Sequence, residues 1–122
     1  MPLALIHRDP RVLNDHYLEQ LVERLPEMIA NALSVEGDPS ATLKANEVEI
    51  RVSDRGPFDK NTRPLGITIF ANFYPKRAEN LDDRVERFQK WIKTVLPPGF
   101  FDGVPRLGYV WILLGHGEYA EF

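Results

Sequence analysis

No cysteine occurs in the 122 residues, so no disulfide can staple this fold and its stability has to come from a packed core. That absence fits a reducing compartment. No apolar run approaches the roughly 20 residues that a helix needs to cross a bilayer. The opening run, residues 2–6, is closed by His7, Arg8 and Asp9 and is too short for a signal-peptide core. A soluble cytoplasmic protein with no membrane partner is the expectation. Basic residues are in the minority, 15 against 18 acids for a net charge of −3, which argues against a nucleic-acid partner, since that would call for a basic face. His7, His16 and His116 show neither metal-ligand spacing nor an accompanying carboxylate cluster, so no metal is expected. There is also no glycine-rich phosphate loop after a strand and no Ser-His-Asp order.

What the chain does have is a repeat. Pro2-Leu3-Ala4-Leu5-Ile6 returns about 62 residues later as Pro64-Leu65-Gly66-Ile67-Thr68-Ile69, and Val22-Glu23-Arg24 returns as Val85-Glu86-Arg87. Both halves keep the order apolar run, amphipathic run, apolar run. The unit of construction is therefore a strand–helix–strand used twice, over 2–52 and 64–114, with a polar seam at 53–63 around Gly56-Pro57. With 43% hydrophobic residues, one domain over 1–122 has enough apolar side chains for a core.

Residues 3–7 read as a short buried strand closed by Arg8-Asp9-Pro10. Asn14 is a good helix N-cap, and Asp15 follows where the helix dipole favours an acid. Tyr17, Leu18, Leu21, Val22, Leu25, Met28, Ile29 and Leu33 then form one stripe at helical spacing. Pro26 interrupts it and predicts either a kink or a helix that ends near Leu25 and restarts. Residues 36–44 read as a loop. Residues 47–52 alternate, with Val48, Ile50 and Val52 on one face and Glu47, Glu49 and Arg51 on the other, the signature of a sheet covered on one side. Strand three is expected over 67–74. Asn80 with Asp83 suggests a capped helix whose stripe is Leu81, Val85, Phe88, Ile92 and Val95, ended by Pro97-Pro98-Gly99. Residues 109–114 are the last long strand, and 118–122 are a possible extra one.

The fold class expected is α/β (α+β): two pseudo-symmetric strand–helix–strand units forming a four-stranded sheet with two helices on one face. Two arrangements fit, a ferredoxin-like split order or two complete units side by side. Strands one, three and four are hydrophobic nearly throughout, including Ile67, Ile69, Trp111 and Leu113. The uncovered side of the sheet would then carry an apolar patch, which predicts self-association.

A duplicated strand–helix–strand of this length, opening Met1-Pro2 and running straight into a strand, resembles the tautomerase superfamily. Residues 2–7 look like the first strand of 4-oxalocrotonate tautomerase. Pro75-Lys76-Arg77, Asp38 and the tail over 117–122 are similar to segments of malonate semialdehyde decarboxylase. The resemblance implies a cofactor-independent tautomerase or isomerase for a small 2-oxo or enol carboxylic acid. Pro2, freed by removal of Met1, would move the proton, with Asp38 as a second catalytic group. It implies that Arg11, Lys76 and Arg77 bind the substrate carboxylate, that Phe58 and Tyr74 wall the pocket, and that the protein is a trimer. One position departs from the pattern: where 4-oxalocrotonate tautomerase carries a polarising arginine on strand two, this chain has Glu49, with Arg51 on the same face as a substitute. Physically, a buried amine beside cations disfavours its own charge and becomes a usable base, and an arginine can clasp a carboxylate with two parallel bonds. The competing expectation is a non-catalytic oligomeric binding domain of ferredoxin-like or tautomerase-like fold.

Overall fold

The computed structural model describes residues 2–100, 107–116, 120 and 122. Its elements are β1 (Leu3–Arg8), α1 (Asp15–Leu33), β2 (Glu49–Asp54), β3 (Leu65–Asn72), α2 (Pro75–Glu79), α3 (Leu81–Val95) and β4 (Gly108–Gly115). The extra strand expected over 118–122 lies largely outside the described residues.

The sheet order is β2-β1-β3-β4. β1 runs parallel to β2 and β3 parallel to β4, while β1 and β3 meet antiparallel. Each unit thus keeps its own two strands adjacent, and the halves join through β1 and β3. Of the two arrangements left open by the sequence, this is the pair of complete units, not the ferredoxin-like split. It is a twice-used β-α-β layout with three α-helices among the described residues. α2 is an addition to the two expected: a single turn begun by Pro75, whose fixed φ suits a first helical position.

α1 is uninterrupted from Asp15 to Leu33 with Pro26 inside it, so the restart near Leu25 does not occur. The bond Pro26 cannot donate is offset by the stripe on either side, where Leu21, Leu25, Ile29 and Leu33 are fully buried. Asn14 caps as expected, its side chain accepting from the Tyr17 amide at 3.0 Å. Asn80 does not cap α3: its Oδ1 accepts from Arg84 Nε at 2.8 Å instead. β2 starts two residues late because 45–47 form a 3-10 turn. β3 begins and ends two residues earlier than the pattern suggested.

The register sorts the faces. Ala4, Ile6, Ile67, Ile69 and Ile112 point to the helices and pack with α1 and with Phe88 and Ile92 of α3. The opposite face carries Leu3, Leu5 and His7 of β1, Glu49 and Arg51 of β2, Thr68 and Phe70 of β3, and Tyr109, Trp111 and Leu113 of β4. Gly66 belongs to that face too, and Tyr109 lies over it: a Cβ there would come within 2.6 Å of the phenol ring. Trp111 is 58% exposed, and Leu5, Phe70 and Tyr109 are exposed as well. The apolar open face expected from the sequence is therefore present, contributed by β1, β3 and β4.

Candidate active site

Topology decides which candidates can meet. Because β3 is antiparallel to β1, the carboxyl end of β3 lies beside the start of β1. The loop leading into β2 reaches that same end, since β2 is parallel to β1. Pro2, Asp38, Tyr74, Lys76 and Arg77 are consequently gathered at one end of the sheet. Arg11 and Phe58 follow the carboxyl ends of β1 and β2, at the opposite end. Six residues of β1 at about 3.3 Å each separate the two ends by roughly 20 Å. Within a single chain, Arg11 and Pro2 cannot share a substrate.

At the first end Pro2 is buried, and its carbonyl accepts from the Glu49 amide at 3.0 Å. One step beyond the Leu3–Phe70 pair, the register sets Ala71 alongside it. A cavity of about 280 Å³ opens at this edge between the ends of β3 and β4, lined by Phe70, Asn72, Leu113 and His116 among others. The His116 ring sits 4.7 Å from that of Phe73. His116 and Phe73 were not among the sequence candidates. The available signal was their position just past the carboxyl ends of two parallel strands, where crevices form.

Asp38 Oδ1 accepts from the Ser40 hydroxyl at 2.6 Å and the Ser40 amide at 3.0 Å. The hydroxyl bond is the chief reason its carboxyl is held below the usual range, with a smaller contribution from the charge of Lys76. Asp38 is thus an ionised carboxylate, suited to orienting or accepting rather than to donating a proton. Tyr74 donates its hydroxyl to the Ser40 carbonyl at 3.0 Å. Its ring lies under the Arg77 guanidinium, 4.8 Å away.

Arg77, expected at the substrate carboxylate, has another occupation. It is 2% exposed, and its guanidinium donates to the carbonyls of Leu33 at 2.6 Å, Asn72 at 2.8 Å and Ala41 at 3.0 Å. Burial pushes its pKa down from the ordinary value. The side chain ties together the end of α1, the loop before β2 and the end of β3, which is a structural task.

At the far end, Arg11 is clasped by Asp9 through Nε at 3.1 Å and Nη2 at 2.9 Å. Chiefly through the Arg11 side-chain bond, and then its amide, the Asp9 carboxyl is lowered from 3.8 to about 2. A folded-state pKa below the ordinary value means that the ionised group stabilises the fold above pH 3.8 and loses that effect as pH falls through about 2. Asp9→Asn is therefore expected to lower the urea midpoint at neutral pH, and the gap to wild type should close between pH 3.8 and about 2. A gap independent of pH would show that the Asp9–Arg11 charge pairing contributes nothing. A cavity of about 390 Å³ lies beside this pair, with Arg55 and Pro57 on its wall. Phe58 is 95% exposed. Arg51 sits on the open sheet face, paired with Glu49 at 2.9 Å. Among the described residues no three metal-ligating side chains converge, and no helix is long and apolar enough to cross a membrane.

By sequence, no family model matches the chain, and no curated protein does. Solved structures do match. The crystal structure of native Ps01740 aligns with a TM-score of 0.60 at 13% identity, covering 98% of this chain and 99% of that one. A protein of unknown function from Vibrio cholerae O1 biovar eltor aligns with a TM-score of 0.59 at 12% identity, covering 98% of this chain and 84% of that one. MIF2 of Leishmania major aligns with a TM-score of 0.47 at 15% identity, covering 94% and 89%. At such identities the first two show a shared α+β fold along nearly the whole chain.

Proposed function

We propose that this protein is a cofactor-independent, tautomerase-like enzyme in which the Pro2 amine, exposed by removal of Met1, moves a proton on a small 2-oxo or enol carboxylic acid. The observation that carries the reading is the burial of Pro2 at the sheet end to which the topology brings Asp38, Tyr74 and Lys76, with a cavity at the neighbouring ends of β3 and β4. Burial disfavours the charged form of a secondary amine, so it can act as a base. Lys76 supplies charge for a substrate carboxylate, and Asp38 an ionised acceptor. Arg77 is committed to backbone carbonyls, and Arg11 reaches such a site only from another copy of the chain.

The open sheet face supports assembly, and a trimer is the proposed state. Light scattering coupled to gel filtration should give three times the chain mass. Trp111→Glu, which sets a charge at the exposed aromatic of the apolar face on β4, should give monomer. A wild-type monomer would rule out the trimer.

The reading is tested by mass spectrometry of untagged protein together with a phenylpyruvate or 2-hydroxymuconate assay on wild type and Pro2→Ala. Retained Met1, or equal rates for the two proteins, would end it. The occupation of Arg77 by carbonyls favours the second reading, a non-catalytic oligomeric domain that binds small acids. That reading predicts ligand binding with no turnover in either protein.

A further inference from the structure

On the helix side, at the same end of the molecule, a groove of about 1040 Å³ runs between the end of α1 with its following loop and the α2–α3 pair. Lys76, Arg84 and Arg87 border it, together with the carboxylates Glu36 and Glu79. Among the described residues none of these three cations has a carboxylate oxygen within 4.0 Å. Three cations against two carboxylates leave the groove with an excess of positive charge, which favours an anionic occupant.

Arg84 makes the case specific. It is 5% exposed, and no carboxylate compensates its burial. Nη1 donates to the carbonyls of Ala32 at 2.7 Å and Ser34 at 2.9 Å, and Nε donates to Asn80 Oδ1 at 2.8 Å. These bonds fix the guanidinium plane, while Nη2 has no partner among the described residues. Arg87, three residues on along α3, borders the same groove and raises the cost of charge on Arg84, whose pKa is lowered first by burial and then by that neighbour. An immobilised guanidinium with a free donor, a second arginine beside it and a lysine on the adjoining turn present donors from three points. A tetrahedral oxoanion accepts from three points more readily than a planar carboxylate does.

We infer that this groove is a binding site for the phosphate group of a small molecule, held by Arg84, Arg87 and Lys76. The site shares Lys76 with the proposed carboxylate site but does not use the proline amine. It is tested by calorimetric titration of inorganic phosphate, pyrophosphate and malonate into the full chain at constant ionic strength, in wild type, Arg87→Gln, Lys90→Gln and Pro2→Ala. The expected result is saturable binding of pyrophosphate at one site per chain. Arg87→Gln should weaken it about tenfold, the effect of losing one charge-assisted contact, while Lys90→Gln and Pro2→Ala leave it unchanged. Saturable binding of phosphate alone would assign the site to the free ion; preference for pyrophosphate points to a phosphorylated ligand. Malonate binding tighter than either, no saturable binding, or equal affinity in Arg87→Gln would overturn the inference. Arg87 is exposed and bonded to nothing that holds the fold together, so its variant tests the site without unfolding it. Thermal stabilisation of wild type by pyrophosphate, absent in Arg87→Gln, gives the same answer by a second route.

Discussion

Arg77→Met is expected to cost on the order of 3–5 kcal/mol of folding stability, enough to leave a chain of this size marginal or unfolded. The methionine is close in length and apolar, so the loss is not one of volume. It comes chiefly from the buried Leu33 carbonyl, left without a donor at about 1–3 kcal/mol, and from the lost charge-assisted bonds to the part-buried Asn72 carbonyl and to the Ala41 carbonyl, which keeps only the Val35 amide. Recovering the desolvation penalty of the arginine charge offsets part of this. Arg77→Lys keeps the charge but cannot reach three diverging acceptors with one ammonium group, and should fall between wild type and Arg77→Met. Urea unfolding followed by circular dichroism measures both. If Arg77→Met were as stable as wild type, the carbonyl clasp would be incidental and the arginine available for a ligand.

The same residue shows where a sequence reading stops. Lys76-Arg77 after a strand reads as a pair of surface cations, because an isolated basic residue is seldom buried. What buries Arg77 is a set of carbonyls, of which those of Leu33 and Ala41 lie 44 and 36 residues away in the chain. Arg84 is held by Ala32 from a distance of 52 residues. α1 has no basic residue in its last turn, so its final carbonyls are satisfied by two arginines from the other unit. Nothing in the local pattern of either segment announces that exchange. By contrast, the features written in short-range periodicity were legible. The Leu81-Val85-Phe88-Ile92-Val95 stripe gave α3, and the Val48-Ile50-Val52 alternation gave β2 with its end displaced by two residues.

Strand order was legible only as far as the repeat goes. Duplication implies that each unit keeps its own strands together or splits them, and apolar content cannot distinguish these. The antiparallel β1–β3 junction settles it, and that junction also sorts the candidate site. It brings Tyr74 and Lys76 to the start of β1 and leaves Arg11 and Phe58 at its far end. Sequence order alone had placed Arg11 and Lys76 in equivalent positions, each just after the first strand of its unit. They are equivalent by symmetry, and for that reason they occupy opposite ends of the sheet.

Replacing Pro2 is expected to have the largest effect on turnover, a fall of roughly 10²-fold or more in kcat for Pro2→Ala, the usual range for removing a positioned acid–base group. Alanine leaves a primary amine at the same place, so the loss would reflect basicity and positioning, with KM little changed because the carboxylate-binding charge stays. Adding one glycine ahead of Pro2 is the harsher variant. It turns the nitrogen into a tertiary amide with no lone pair available for a proton, and activity should disappear while the thermal midpoint holds. The pH profile separates chemistry from damage. With Pro2 as base, kcat/KM rises as the amine loses its proton, along a limb lying below that of an ordinary α-amine because burial disfavours the charged form. Pro2→Ala should move that limb, whereas a merely structural proline would lower the whole profile without shifting it. Equal kcat in wild type and the glycine-extended chain would remove the amine from the mechanism and leave the buried proline as the start of β1.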